Sequence, residues 1–309
     1  MMWFFLVLIF ILTACLYLHL AQRIYQQIFG RPKRYDTVSP ARQQTRHYQA
    51  ARKGMDLMDT LPVEDVYLTS RDGLNLHAYY FPPETDTGKV VLGIHGYHSY
   101  AKLEYGPFFA FYRALGYGML LPDDRAHAPS EGKYIGFAVK DRLDCVDWAK
   151  YLVNRLGEDC EILVHGVSMG SATVLSASGE PDLPKQVKGI VADCGFTDLW
   201  EELHTGFWDH TRMPRVPFVW LVERINQHRQ GFDFRHYTPL QQVKKTTVPI
   251  LFVHGKADKT VPTGMCTRLY EACPTKKEIL LVDDAGHAES IVYAPEAYHA
   301  AIRRLIEME

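Results

Sequence analysis

The chain has 309 residues, enough for one large domain or two small ones. Hydrophobic residues make up 47% of it and charged residues 23%, a composition that excludes a disordered or low-complexity protein. The formal net charge of -2 offers no excess of basic residues, so we expect no nucleic-acid partner.

The first twenty residues, Met1 to Leu20, form an uncharged apolar run in which only Thr13 and His19 are clearly polar. About 20 apolar residues suffice to cross the hydrocarbon core of a bilayer. We therefore predict a transmembrane anchor helix over residues 1–29. A cleaved signal peptide is the alternative, because Leu12–Cys15 matches a lipoprotein cleavage box by residue type. No basic residue precedes the run, which disfavours that alternative.

Basic residues follow the apolar run at Arg23, Arg31, Lys33 and Arg34, whereas none precedes it. By the positive-inside rule, this asymmetry places the following domain on the cytoplasmic side of the membrane. The cysteines show no metal-binding or redox-motif spacing, and free thiols fit a reducing compartment. We therefore predict a single-pass protein of the cell membrane with a cytoplasmic domain.

Residues 30–62 are predicted to form a linker and a leading helix, and residues 63–309 to form one α/β domain. In that domain, short apolar runs alternate with helix-length segments, a pattern typical of a mostly parallel sheet with helices on both faces. The first two strands are expected to pair as a hairpin around Asp72-Gly73. The predicted strands are Glu64–Thr69, Leu74–Phe81, Val90–His95, Gly118–Leu121, Ile162–His165, Gly189–Ala192, Ile250–His254 and Ile279–Val282.

The connection that follows Asp193 is much longer than usual, and we interpret residues 194–247 as a helical lid insert. Two interpretations of its many aromatic residues stay open. They cover the sheet as part of an ordinary helix, or they line an apolar pocket above the site. These aromatic residues are Trp200, Phe207, Trp208, Phe218, Trp220, Phe232, Phe234 and Tyr237.

A Gly-x-Ser-x-Gly motif runs from Gly166 to Gly170, between an apolar strand and a helix of small residues. A chain that turns sharply from strand to helix is strained at the central residue, and the flanking glycines remove side chains that would collide there. The hydroxyl of Ser168 is then exposed at the end of the strand, next to the positive end of a helix dipole. The motif predicts Ser168 as the catalytic nucleophile.

A serine hydroxyl becomes a good nucleophile only beside a positioned base, which in this strand–turn–helix arrangement follows the acid along the chain. His287 lies in the loop after the last strand and is the predicted catalytic base. Asp258 follows the preceding strand and is the predicted acid, since its carboxylate would hold the imidazole in the correct tautomer. Asp193, which ends an earlier strand, is the alternative acid.

Two backbone N–H groups are expected to form the oxyanion hole, that of Met169 after the nucleophile and that of Tyr97 in the loop after the third strand. The loop Asp123–Gly132 follows the fourth strand and is interpreted as structural, with Arg125 holding it in place. His127 in that loop is interpreted as a framework residue rather than a second base.

Taken together, these residues resemble the α/β-hydrolase superfamily from about residue 63 to the C-terminus. Within it, the chain is similar to bacterial membrane-anchored serine hydrolases of the serine aminopeptidase and monoacylglycerol-lipase branch. The resemblance implies the α/β-hydrolase fold. One loop departs from the family pattern Asp-x-Arg-Gly-His-Gly, because Ala126 and Ala128 replace both glycines. The residues that match in order are His95-Gly96, Asp123-x-Arg125-x-His127-x-x-Ser130-x-Gly132, Gly166-x-Ser168-x-Gly170, Asp258 and His287.

The predicted activity is hydrolysis of a carboxylic ester or thioester through an acyl-enzyme on Ser168. We expect a small-molecule acyl substrate, including one derived from lipid, because the anchor and the aromatic insert favour an apolar acyl group. The first alternative is a serine peptidase in which Glu201, Glu202 or Asp209 holds a substrate amine; the second is a non-catalytic receptor. The HExxH, phosphate-loop and dinucleotide motifs are absent, so we expect no metal and no cofactor.

Overall fold

The computed structural model describes residues 1–32, 43–127, 129–212 and 214–308, with the backbone alone at 207–210. The strands are β1 (Glu64–Thr69), β2 (Asn75–Phe81), β3 (Lys89–Ile94), β4 (Gly118–Pro122), β5 (Glu161–Val167), β6 (Val187–Asp193), β7 (Ile250–Gly255) and β8 (Lys277–Val282). The α-helices are α1 (Met2–Phe29), α2 (Arg46–Met58), α3 (Ala101–Ala114), α4 (Asp141–Leu156), α5 (Met169–Ala177), α6 (Leu199–Thr211), α7 (Arg215–Gln230), α8 (Pro239–Gln242), α9 (Thr263–Ala272), α10 (Ser290–Tyr293) and α11 (Pro295–Ile306).

The eight strands form one sheet in the order β1-β2-β4-β3-β5-β6-β7-β8. β1 and β2 pair antiparallel, β2 pairs antiparallel with β4, and the strands from β4 to β8 are parallel. The predicted fold class is therefore confirmed, a mostly parallel sheet of the α/β-hydrolase fold. Ile94 pairs with Gly166 and Val167 with Asp193, so the carboxyl ends of β3, β5 and β6 meet at one edge of the sheet.

Helices cover both faces of the sheet because the buried strands present apolar side chains to either side. Along β3, Val90 and Leu92 pack in a cluster with Trp148 of α4, whereas Val91 packs on the opposite face with Phe109 of α3. This alternation follows from the two-residue period of a strand. The sheet is thus the middle of three layers. Its faces are covered by helices, so a site must lie at an edge, such as the one at the carboxyl ends of the parallel strands.

The N-terminal helix α1 has an exposed half and a buried half. Phe10 is 72% exposed, whereas Tyr25 and Phe29 are fully buried. Among the described residues, α1 is the helix whose length and composition would let it cross a bilayer, properties that a signal sequence shares. The buried half, from Ala21 to Phe29, packs instead against the insert helix α7, where it meets Phe218.

Backbone and side-chain hydrogen bonds attach the end of α1 to the rest of the domain. The N–H of Ile135 donates to the carbonyl of Phe29 at 2.7 Å, and the hydroxyl of Tyr97 donates to the carbonyl of Ile28 at 2.9 Å. The hydroxyl of Tyr25 donates to the side chain of Asn226 in α7. The anchor was predicted over residues 1–29, but its last nine residues belong to the packed domain.

The aromatic side chains of the insert, where described, are used mainly for packing. Phe218, Phe232 and Phe234 are buried in the cluster that includes α1. Trp220 is 52% exposed, and Trp200 stacks beneath the guanidinium of Arg235. The side chains of Phe207 and Trp208 lie outside the described part. Packing therefore describes Phe218, Phe232 and Phe234, which lie against α1, but not the exposed Trp220.

Candidate active site

The turn between β5 and α5 places Ser168 in a strained backbone conformation. Its φ is 56° and its ψ is -117°, a region that residues with a side chain rarely occupy. A Cβ on Gly166 would collide with the carbonyl of Gly170, and a Cβ on Gly170 would collide with the carbonyl of Ile94. The turn therefore requires glycine on both sides of Ser168, as the sequence motif predicts.

The three side chains singled out in the sequence lie in hydrogen-bonding contact. The hydroxyl of Ser168 is 2.7 Å from Nε2 of His287, and Nδ1 of His287 is 2.7 Å from Oδ2 of Asp258. With Nδ1–H donating to the carboxylate, Nε2 is left as the acceptor of the serine proton. The Asp258 side chain is fully buried and the His287 side chain is 23% exposed. This arrangement has the order and geometry of a Ser-His-Asp triad.

Asp258 is held in its charged form by several donors. Burial alone would raise the pKa of Asp258, but hydrogen bonds from His254 and His287 hold it well below its usual range. Its Oδ1 also accepts the N–H groups of Thr260 and Val261. Nε2 of His254 lies 3.2 Å from Oδ2, a contact that the sequence analysis missed. A histidine within an apolar strand, four residues before the acid, was the signal available.

Asp193, the alternative acid, is engaged elsewhere. Its Oδ2 accepts the hydroxyl of Tyr298 at 3.0 Å, at the end of β6. Burial raises the pKa of Asp193 to about 7, which favours a neutral carboxyl rather than a partner for an imidazolium. The structure thus brings Asp258, and not Asp193, to the ring of His287.

The loop after β3 packs directly on the nucleophile turn. A Cβ on Gly96 would lie 3.3 Å from Cβ of Ser168, so the loop backbone is in contact with it. The N–H of Gly96 donates to the buried carboxylate of Glu104, a residue of α3 that the sequence analysis did not single out. Tyr97 and Met169 both line the cavity at Ser168. The Met169 N–H has no acceptor within its own helix, since it lies in the first turn of α5.

The loop after β4 is fixed by buried charges. Arg125 donates to Asp144 at 2.6 Å and to Asp72 at 2.9 Å. The Nδ1–H of His127 donates to the carbonyl of Arg125, and burial lowers the pKa of His127 well below its ordinary value. Ala126, where the family has glycine, adopts a φ of 62°. The position of Ala128 lies outside the described residues. The loop is thus part of the framework of the site.

A cavity of about 340 Å³ opens above Ser168 and His287. Most of its wall is apolar, with contributions from the insert, the loop after β3 and the N-terminal helix α1. That α1 takes part was not expected from the sequence. The wall includes Ile28 and Gln27 of α1, Phe137, Phe196, Leu203 and Val261.

Among the described side chains, one acidic group lines this cavity. Glu202 of α6 lines the wall, and its buried Oε2 has no hydrogen-bond partner in the part of the chain that the structure describes. Burial raises the pKa of Glu202 to about 7, although the nearby ring of His287 acts in the opposite direction. Its neighbour Glu201 instead pairs with Arg268 at 2.6 Å. Glu202 is therefore the carboxyl available to a polar group of a bound molecule, whereas Asp209 has no described side chain.

Within the described ranges, one group of side chains has the spacing of a metal site, namely Cys194, Asp258 and His287. Both ring nitrogens of His287 are already in hydrogen bonds with Ser168 and Asp258. Burial raises the pKa of the Cys194 thiol well above its ordinary value, which disfavours the thiolate that a metal needs. These residues fit a Ser-His-Asp site better than a metal site.

The sheet topology, the strained serine and its contacts define a hydrolase of the α/β-hydrolase superfamily, so that resemblance is confirmed. Residues 137–305 match the sequence model of the prolyl oligopeptidase family (Peptidase_S9). That match covers more than half of the chain, and the protein belongs to this family.

Three similar proteins illustrate the relationship. The uncharacterised protein YqkD of Bacillus subtilis (strain 168) is 25% identical over 240 residues, 78% of each chain. The solved esterase Pf2001 of Pyrococcus furiosus superposes with a TM-score of 0.68 at 22% identity, covering 91% of this chain and 97% of that one. A puromycin-hydrolysing peptidase of Mycobacterium tuberculosis gives a TM-score of 0.60 at 19% identity, covering 81% and 40% respectively. The two structures share the fold.

Proposed function

We propose that the protein is a serine hydrolase that cleaves a carboxylic ester or thioester. The observation that carries this proposal is the chain of 2.7 Å contacts from Ser168 through His287 to Asp258, at the floor of a mostly apolar cavity. An apolar wall suits an acyl chain, and the esterase Pf2001 is among the structures that share the fold.

In the proposed reaction, Nε2 of His287 takes the proton of Ser168 as the oxygen attacks the carbonyl carbon. The N–H groups of Met169 and Tyr97 stabilise the negative oxygen of the tetrahedral intermediate. His287 then gives the proton to the leaving alcohol or thiol, and an acyl-enzyme remains on Ser168. His287 then takes a proton from a water molecule, whose oxygen attacks the acyl-enzyme carbonyl. When the bond to Ser168 breaks, His287 returns that proton to the serine oxygen and the carboxylic acid is released.

The test is fluorophosphonate labelling together with a series of p-nitrophenyl esters from acetate to dodecanoate. We expect the wild-type protein to be labelled and Ser168→Ala to lose labelling, with a fall in kcat on the order of 10⁴-fold or more. Ser171→Ala is the matched control, because its buried hydroxyl lies one turn further along the same helix. An unlabelled wild-type protein, or an active Ser168→Ala variant, contradicts the proposal and favours a non-catalytic receptor.

A serine peptidase acting on short peptides is the second candidate. It is favoured by the prolyl oligopeptidase family match, by the fold shared with the mycobacterial peptidase, and by the unpartnered carboxyl of Glu202 in the cavity. On this hypothesis, Glu202 binds the substrate's α-ammonium group. Aminoacyl amides would then be cleaved faster than esters, and Glu202→Gln would raise their KM while Glu201→Gln would not.

We further propose that the exposed half of α1 is a single-pass membrane anchor with the catalytic domain on the cytoplasmic side. The asymmetry of charge around the apolar run and the free cysteines support this orientation. A variant with one added cysteine in an exposed loop tests on which side of the membrane the domain lies. Intact cells that make this variant are labelled with a membrane-impermeant maleimide. Labelling without permeabilisation contradicts a cytoplasmic domain.

A further inference from the structure

The insert helix α7 carries exposed apolar side chains beside the point where α1 enters the domain. Val216 is 81% exposed and Trp220 is 52% exposed. We call Val216 and Trp220 the α7 patch. The opposite face of α7 is buried, since Phe218 and Val222 pack against α1. The patch is therefore held in a fixed position relative to α1.

The α7 patch lies level with the end of the apolar run of α1. The ring of Tyr17 stacks on that of Phe218, with 5.4 Å between centroids. Tyr17 belongs to the exposed half of α1, and burial becomes complete at Ala21. Phe218 lies between Val216 and Trp220 along α7, so the patch is at the level of Tyr17, where the exposed half of α1 ends and where the hydrocarbon core would end.

The chemistry of the patch and its surroundings suits the interface of a bilayer. Tryptophan is enriched at the level of lipid headgroups, where its ring is part apolar and part polar. Arg224 lies 5.4 Å from the centre of the Trp220 ring, and Arg215 is exposed at the start of α7. Basic side chains near the surface are attracted to anionic lipids, each by about 1 kcal/mol.

The helix α1 also forms part of the wall of the catalytic cavity. Gln27 and Ile28 of α1 line it together with Ser168 and His287. Seven residues separate Gln27 from Leu20, which is about 10 Å along a helix axis. The nucleophile therefore lies a short distance from the plane at which the apolar half of α1 ends, well within the length of a long acyl chain.

We propose that the α7 patch rests in the bilayer interface and that the substrate is an amphiphile of the membrane, whose acyl chain enters the cavity along α1. This inference rests on the proposed function and adds the source of the substrate. The level of the patch, beside the end of the apolar half of α1, favours a lipid surface over a protein partner as its occupant.

The first test compares two esters with the full-length protein in phosphatidylcholine–phosphatidylglycerol vesicles. One is water-soluble p-nitrophenyl butyrate and the other a long-chain acyl ester embedded in the vesicles. We expect Val216→Glu to slow hydrolysis of the embedded ester about five-fold, as a loss of about 1 kcal/mol at the surface implies, and to leave the soluble ester unaffected. If Val216→Glu slowed both esters by the same factor, or slowed neither, the proposed route would be overturned.

Val63→Glu is the matched control for this test. Val63 is also exposed, at 38%, and precedes β1. Its neighbour Glu64 pairs with Arg155 at the end of α4, at the opposite end of the sheet from Ser168. We expect Val63→Glu to hydrolyse both esters at the wild-type rate. A slowing equal to that of Val216→Glu would overturn the role given to the patch.

The second test does not depend on activity. Brominated lipids quench tryptophans in the interface, and the difference between wild type and Trp220→Phe isolates the signal of Trp220. We expect that signal to be quenched, and an unquenched Trp220 would overturn the docking. A wild-type protein that is quenched but hydrolyses neither ester would refute the proposed function and the substrate route, and would leave the docking supported.

Discussion

Asp258 accepts hydrogen bonds from His287, His254 and two backbone N–H groups, and this set of donors keeps its carboxylate charged inside the protein. A carboxylate fixed in this way can hold one tautomer of His287 and stabilise the imidazolium that forms when Ser168 loses its proton. Asp193 has a tyrosine hydroxyl as its partner instead. The two buried carboxyl groups thus have different roles to test.

We expect Asp258→Asn to lower kcat by about 10⁴-fold, because an amide favours the wrong tautomer of the histidine. Asp193→Asn is the matched control and should leave kcat near the wild-type value, since the amide oxygen can still accept from Tyr298. Steady-state kinetics on a p-nitrophenyl ester, with circular dichroism to verify folding, measures both. A loss in Asp193→Asn as large as in Asp258→Asn would contradict the assignment of the acid.

The buried carboxyl of Glu202 should make stability depend on pH. Burial raises its pKa to about 7 from 4.5. Between these values the folded protein keeps a proton that the unfolded chain releases, so the free energy of unfolding falls as the pH rises. Glu202→Gln lacks this titration. From pH 4.5 to 7.5 we expect it to gain stability relative to wild type, by no more than about 3 kcal/mol at 1.4 kcal/mol per pKa unit.

Denaturant unfolding at pH 4.5, 6 and 7.5 measures this difference. Glu201→Gln serves as the comparison, because Glu201 is partly exposed and paired with Arg268. Parallel pH profiles for wild type and Glu202→Gln would show that Glu202 does not titrate in this window. The same measurement therefore tests whether a neutral acid lines the cavity.

Among the elements, the turn between β5 and α5 and the loop after β3 are packed backbone against backbone. We expect Gly170→Ala to destabilise the protein by more than about 3 kcal/mol, because the new methyl group would collide with the carbonyl of Ile94 and backbone must move. Gly264→Ala, in the open first turn of α9, should be neutral or stabilising by up to about 1 kcal/mol.

Thermal unfolding of the two alanine variants beside wild type provides the measurement. Equal melting temperatures for Gly170→Ala and Gly264→Ala would mean that the loop after β3 can move away from the turn. In that event, the contact between Gly96 and Ser168 would not be a fixed feature of the oxyanion site.

The elements that sequence predicted well are those with a strong local signal. All eight strands were expected within a few residues of their observed bounds, because buried parallel strands are short apolar runs. The approach of Ser168, Asp258 and His287 was also expected, because each follows a strand of one sheet. Glu104 was not expected, since its bond to Gly96 depends on how α3 packs and leaves no trace in the local sequence.

For the molecule as a whole, the apolar run of α1 was predicted from the sequence. The position at which its side chains become buried in the domain was not. The residues Ala21 to Phe29 continue the same helix with a more polar composition, and the burial of their apolar side chains depends on the position of α7 and of residues 134–137. Ala21, Ile24, Tyr25 and Ile28 recur at helical spacing, so the sequence carried the signal of a buried face. That periodicity could not identify the partner surface, which is formed by distant parts of the chain. The share of α1 in the cavity was missed for the same reason.

This division of α1 can be tested with two phenylalanines. Phe29→Ala removes a fully buried ring and should lower the free energy of unfolding by about 3–5 kcal/mol. Phe10→Ala removes a ring that is 72% exposed and should change domain stability by less than about 0.5 kcal/mol. Thermal unfolding in detergent micelles measures both, and equal shifts would contradict a packed second half.

The division also limits how the protein can be shortened for crystallography. Deleting residues 1–29 to gain solubility would remove part of the wall of the cavity and expose the apolar surface of α7 to water. Removal of only the first sixteen residues would spare both. During synthesis, α1 is made about two hundred residues before α7, so its second half can pack only after α7 has been made.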